Sequence, residues 1–360
     1  CLYNPAAHAF RIYRFDRDLQ AWFDTGVTID QRRGARADVL WDGAKLYIVS
    51  GSTAGSDWGI PASAKALDAG FAKLLRFSYD PEVKTYLLDP GFPVVVRQGS
   101  SEDVTLAEDS TGRLWIAFTR DERVWVNHSL GDDAAWGDPF TPAVAGAAVH
   151  YDDIPAIIAF GGDKIGLMWS NQIDRRFYFA VHRDGDPPAV WQPSEIAFGG
   201  GVNCSGGCAN DHLNLETDAN GKVYAGIKTA NRNTGQPFVE LLIRDPHGVW
   251  RAATFGRVED EHSRARIVID DEHRRLYLFA TIRETGGAIF YKTTCLDKIA
   301  FPPGPGTPAI QNPAAPAVNN VTSTKQNVDG ETGLLILASD SAAGRYLHAF
   351  FDLKEAPPCP

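Results

Sequence analysis

Cys204, Cys208 and His212 in "NCSGGCANDHLNLE" stand four residues apart and are thiol and imidazole side chains, the types that bind soft metal ions. The run lacks the second, distant chelating half that structural zinc sites carry. "CSGGC" also closes a small glycine-rich ring that a disulfide can bridge, and we expect that bridge ahead of free thiols and of zinc. His212 has other company along the chain. It precedes Gly221 by nine residues, as Asp103 precedes Gly112 and Asp153 precedes Gly162. Glu261 and His262 open a comparable run, "HSRARIVID". Carboxylate pairs suit glycoside hydrolysis, one protonating the leaving oxygen while the other activates water or attacks. An imidazole in such a group can instead abstract a proton. Asp103, Asp153, His212, Glu261 and His262 are therefore the candidate catalytic residues. A second set, Arg120, Asn171, Gln172, Lys228, Asn231 and Arg283, closes the apolar run after each glycine and is suited to hold substrate. Its cations could neutralise a uronate carboxylate.

Residues that recur in register need elements that recur. "DVTLAEDSTGRLWIAFTRD", "DIPAIIAFGGDKIGLMWSNQ" and "HLNLETDANGKVYAGIKTAN" each read as a strand, a glycine turn and a second apolar strand. Looser copies start at Asp38, His262 and Asn320, and third strands such as "RFYFAVHRD" and "FVELLIRD" follow. Helical periodicity is nearly absent; "PASAKALDAGFAKLL" (61–75) reads as a loop insertion with one helical turn. Four antiparallel strands in roughly 50–60 residues are the unit of a β-propeller blade. We expect an all-β, single-domain propeller over residues 1–360, with seven four-stranded blades and a first blade incomplete at its N-terminus. Six blades is the alternative count, and a β-sandwich or solenoid pair the alternative fold. The Pro-rich stretch "FPPGPGTPAIQNPAAPAVNN" (301–320) reads as a long connection between blades.

In a propeller the starts of innermost strands and the ends of second strands meet on one face, where ligand sites converge. That face would collect Asp38, Glu102, Asp103, Asp152, Asp153, Asp211, His212, Glu261 and His262 beside the substrate-holding set, so their charges would shift one another's pKa values. It could also hold Ca²⁺ or another divalent cation, although no cofactor is required by the chemistry above. The plainer alternative is that Asp, Asn and His before a strand bond backbone N–H groups and knit turns together.

The net charge of −10 and the absence of a basic cluster disfavour nucleic acid and anionic membrane as partners. No apolar run is long enough for a transmembrane helix, and no stretch reads as a secretory signal. A start at Cys and a single Met suggest a processed or clipped chain. A lipidated Cys1 is disfavoured, because strand-like sequence follows without a polar tether. Five cysteines, two of them spaced to bridge locally, point towards an oxidising compartment, secreted or periplasmic.

On these residues the chain resembles the sialidase-like, BNR-type superfamily of secreted β-propellers. "DSTGRLW" (109–115) and "DANGKVY" (218–224) are similar to degenerate Asp-box hairpins, and "DDIPAIIAFGGDKIGLMWSNQ" with "NDHLNLETDANGKVYAGIKT" resembles bacterial secreted propellers of unassigned function. The resemblance implies a carbohydrate-active protein with a polysaccharide or glycan partner. Sialidase activity itself is not expected: Arg120, Arg264 and Arg283 can be arranged as an arginine triad, but no Tyr–Glu nucleophile pair is in register. The expected function is glycoside hydrolysis or polysaccharide lysis, with Trp58 or Trp169 available to stack sugar rings, Trp169 being better suited to a blade core. The alternative is a non-catalytic glycan- or protein-binding propeller, or a structural subunit of a surface assembly.

Overall fold

The computed structural model describes residues 2–4, 6–32, 35–52, 70–101, 103–283, 286–312, 317–356 and 359. Cys1, Trp58, Glu102 and residues 61–69 of the expected helical insertion lie outside them; Phe71–Leu75 of that stretch are strand. Among the described residues the one helical element is a 3-10 turn, Val258–Asp260.

The fold is a seven-bladed, all-antiparallel β-propeller, each blade one sheet. The chain packs as two compact units, Cys1–Pro142 and Ala143–Pro360. The first unit holds three sheets. One is β1 (Leu2–Asn4), β2 (Ala9–Asp16) and β3 (Ala21–Asp30). Next comes β4 (Ala35–Trp41), β5 (Lys45–Ser52), β6 (Phe71–Asp80), β7 (Thr85–Leu88) and β8 (Val94–Gln98), where β7 and β8 share the outer edge of β6. The third is β9 (Thr105–Glu108), β10 (Leu114–Arg120) and β11 (Arg123–His128).

The second unit holds four sheets, three of them four-stranded meanders. These are β12 (Pro155–Phe160), β13 (Lys164–Asn171), β14 (Arg176–Arg183) and β15 (Glu195–Phe198); then β16 (Leu213–Thr217), β17 (Val223–Lys228), β18 (Pro237–Arg244) and β19 (Trp250–Arg257); then β20 (His262–Asp270), β21 (Arg275–Ile282), β22 (Ala288–Cys295) and β23 (Thr307–Gln311). The last sheet is β24 (Val318–Thr322), β25 (Leu334–Asp340) and β26 (Arg345–Phe351). β23 and the start of β24 lie inside the Pro-rich stretch expected to be a connection. β23 is an outer edge strand, where the missing N–H of Pro308 breaks no ladder on the solvent side.

Second strands such as "LWIAFTR" and "KIGLMWSN" are buried along nearly their whole length and mostly apolar because a blade's central strand is covered by neighbouring sheets on both faces. The cores accordingly lie between consecutive sheets. Met168, Phe177 and Phe179 pack on Leu215, Val223 and Leu242, and Tyr224 and Leu241 pack on Ile267 and Leu278. In the first unit Val49 and Leu74 pack on Leu106 and Ile116. Trp169 is fully buried and stacked on Tyr178.

Aspartate turns join the first two strands of several blades. Asp109 Oδ1 accepts the N–H groups of Thr111 and Arg113, and Oδ2 accepts the Trp115 indole N–H at 2.9 Å. Asp218 repeats this with Asn220, Lys222 and the Tyr224 hydroxyl at 3.0 Å. Gly112 and Gly221 turn these hairpins at φ near +81° and +76°, where a side chain would be strained.

Candidate active site

β12 packs against β16 and β16 against β20 in the second unit, so the residues leading into the three strands can be compared. Asp153, before β12, is 0% exposed and bonded on every side. It accepts the His150 N–H and the Ser170 hydroxyl, each at 2.8 Å, and the Gln172 N–H at 3.0 Å. Asn171 is equally occupied: its amide donates to the Gly146 and Ala148 carbonyls, and its Oδ1 accepts the Asp174 N–H. The Gln172 side-chain amide nitrogen is buried without a hydrogen-bond partner. These groups lock the 146–153 loop onto the end of β13.

At the same register in the next blade the chemistry differs. His212 Nδ1 lies 2.6 Å from Asp211 Oδ1 and 2.9 Å from Asn210 Oδ1. Two acceptors on Nδ1 fix the proton there and leave the lone pair on Nε2, which no described group bonds. Burial pulls the Asp211 carboxyl up, but its bond with His212 and the Lys228 charge hold it below the ordinary carboxylate range. The His212 carbonyl accepts the Lys228 N–H, which ties the start of β16 to the end of β17. Lys228 is buried with its ammonium 5.2 Å from the Phe238 ring centre. Asn231 is buried too, accepting the Ser205 N–H and donating to the Pro237 carbonyl. It anchors the loop pinned by the Cys204–Cys208 disulfide. The metal alternative for these cysteines thus gives way to the bridge, and among the described residues no three His, Cys, Asp or Glu side chains form a metal-binding group.

Glu261 and His262 part company one residue apart. Glu261 is exposed, with a left-handed φ of 55°, and its carboxylate lies 3.7 Å from Arg283, whose side chain is 65% exposed. His262 turns inward and is 0% exposed: Nε2 meets the Pro305 carbonyl at 2.9 Å, and the ring lies against Phe255. Burial pushes its pKa down to about 4. A Cβ at Gly256 would come 2.0 Å from His262 Nδ1, so only glycine admits the ring.

In the first unit Asp103 caps the start of its own strand through the Val104 N–H. Arg120 donates to the Gln98 carbonyl and Asp121 and lies 4.6 Å from the Trp125 ring centre. Asp38 accepts the Leu106 N–H of the neighbouring sheet, as Asn214 accepts that of Ile267.

Two buried charges escape a reading by register. Glu240, mid-strand in β18, accepts the Thr254 hydroxyl and is pushed up to about 7 by burial. Arg97, at the end of β8, is buried beside Phe118. Each is a lone charge in an apolar run, "FVELLI" and "FPVVVRQ", and that interruption is the signal that could have found them.

No family model and no curated protein matches the sequence. Solved structures match in fold. The triple arginine-to-alanine mutant of AofleA from Arthrobotrys oligospora aligns with a TM-score of 0.51 at 9% identity, over 90% of this chain and 83% of that one. The periplasmic gluconolactonase PpgL from Pseudomonas aeruginosa gives 0.48 at 12% identity, over 95% and 92%. An alpha-L-arabinofuranosidase from Lactobacillus brevis gives 0.42 at 9%, over 68% and 83%. At 9% identity the likeness to AofleA is one of fold alone.

Proposed function

We propose that this propeller acts on an acidic polysaccharide in an oxidising compartment, with His212 as a proton-abstracting base oriented by Asp211. The observation that carries this reading is the 2.6 Å contact between Asp211 and Nδ1, which leaves Nε2 unbonded by any described group. The substrate class comes from the resemblance of the sequence to sialidase-like propellers. In the reaction Nε2 takes the proton α to a uronate carboxylate, and those electrons form the C4–C5 double bond. The C4–O bond breaks, and the leaving oxygen takes a proton from water. Exposed Arg283, on the neighbouring blade, is the cation available to a uronate carboxylate. Lysis is preferred over hydrolysis because Asp153 is enclosed by its own hydrogen bonds, which takes it out of a carboxylate pair with exposed Glu261 in this unit. The disulfides favour the secreted or periplasmic setting.

The test is a panel of uronate-containing polysaccharides, read by ultraviolet absorbance of the new double bond and by reducing ends. The parent protein should produce both signals, and His212→Ala should lose at least about 10²-fold in rate with the fold retained. Undiminished turnover in His212→Ala overturns the assignment, and reducing ends without the double bond replace lysis by hydrolysis. A second reading, non-catalytic glycan binding, is favoured by the structural occupation of Asp153, Asn171, Asn231 and His262. Binding without turnover across the panel would establish it.

A further inference from the structure

Arg97 is 2% exposed, and its guanidinium makes one hydrogen bond, from Nη1 to the Gly99 carbonyl. Nε and Nη2 are buried with no hydrogen-bond partner among the described residues. An unpaired buried cation is among the costliest arrangements in a protein interior. Its electrical surroundings make this worse: burial lowers its pKa to about 10, and among the described residues the charges of Arg120 and Arg32 push it the same way. Arg32 has its own counter-ion, gripping Asp30 through Nε at 3.0 Å and Nη2 at 2.7 Å, with Ser52 and the Phe71 carbonyl on Nη1. Arg120 is different. It is held by the Gln98 carbonyl, one residue before the carbonyl that holds Arg97, and its partner Asp121 is 76% exposed. Both guanidiniums lie over the same Phe118 ring, at 5.1 and 6.0 Å from its centre. Gly51 faces this point, and a Cβ there would stand 3.3 Å from Arg97 Nη2.

We propose that Arg97 and Arg120 form a site for a small oxyanion — a carboxylate, sulfate or phosphate group — that supplies the counter-charge the buried guanidinium lacks. Arg97 is the inner donor, with two N–H faces unused, and Arg120 the outer one, partly open to solvent. Planar guanidinium pairs match such oxyanions in geometry as well as charge. The site lies within the first unit and does not depend on the role given to His212.

Urea unfolding of the whole protein, in millimolar acetate, sulfate or phosphate at constant ionic strength, tests it. The midpoint should rise and saturate with at least one anion, as binding to the native state alone requires, and the anion that saturates lowest names the group. Arg97→Met should abolish the saturable rise. Without anion that variant should be at least as stable as the parent, because it loses an unpaired buried charge; a merely structural arginine would give the opposite. Arg120→Met should raise the half-saturating concentration tenfold or more, and it decides the matter if Arg97→Met does not fold. No saturable rise with any of the three anions, or an undiminished rise in either variant, overturns the proposal.

Discussion

Glu240 and His262 are buried ionisable groups with opposite proton preferences. The Glu240 carboxyl holds its proton in the folded protein up to a pH of about 7, against an ordinary value of 4.5. Its contribution to stability is therefore complete below about pH 4.5 and is lost as pH rises through 7. His262 stays neutral in the folded protein down to about pH 4, against an ordinary 6.5. Its contribution is complete above 6.5 and is lost as pH falls through 4, because the unfolded chain takes the proton first. Arg257 faces Glu240, and Lys292 and Asp260 face His262, so these partners modulate but do not reverse the burial effect. Over pH 4.5–6.5 the two trends oppose each other. Glu240→Gln should expose the histidine's trend alone. Its stability at pH 8 relative to pH 5 should rise above the parent's by up to about 3 kcal/mol, measured by urea unfolding at both pH values. A parent-like pH profile would show that Glu240 is ionised in the fold. At Gly256, alanine would drive a methyl into the imidazole, and Gly256→Ala should cost about 1–3 kcal/mol in the same assay.

At the scale of elements, the strand starts show how far register can be read as function. Asp153 and His212 hold equivalent places before β12 and β16, yet the first is enclosed by His150, Ser170 and Gln172 while the second keeps a ring nitrogen that no described group bonds. The repeat of apolar runs and turn glycines made the blades legible, since every central strand must bury both faces and every tight hairpin needs its left-handed residue. Whether a polar side chain at a strand start turns to the loop or the open face depends on partners from distant turns, and no spacing encodes that. β23 was hidden for a related reason: its edge position tolerates the proline that argues against a strand. The distinction can be measured. Asp153→Ala strands three donors and should lower unfolding free energy by about 2–4 kcal/mol. Asp211→Asn, at a partly exposed pair, should leave stability within about 1 kcal/mol of the parent while reducing turnover if His212 is the base. Equal stability losses in the two variants would mean that Asp153 and Asp211 alike serve only to close loops.

For the molecule as a whole, the two disulfides act over different lengths of chain. Cys204–Cys208 closes a separation of 4 residues inside one loop, whereas Cys295–Cys359 closes 64 and ties the C-terminal segment to the end of β22. The Cys359 N–H also donates to the His273 carbonyl, so the segment is registered by backbone as well as by sulfur. Cross-linking restricts the unfolded chain more as the loop lengthens, and the chain-entropy relation gives about 4 kcal/mol for the long bridge and about 2 kcal/mol for the short one. The long bridge encloses the last blade, whose core joins Val318, Leu334 and Ile336 to Phe279 and Ile289 of the preceding one. Replacing Cys295 and Cys359 by serine should therefore lower the urea midpoint about twice as far as replacing Cys204 and Cys208. The short bridge should reveal itself elsewhere. Its loop is held by Asn231 and ends three residues before Asp211 of the Asp211–His212 pair, so its loss should fall on turnover more than on unfolding. A short-bridge variant that unfolds as readily as the long-bridge one, with turnover intact, would show that the 204–208 loop is a stability element and takes no part in placing His212.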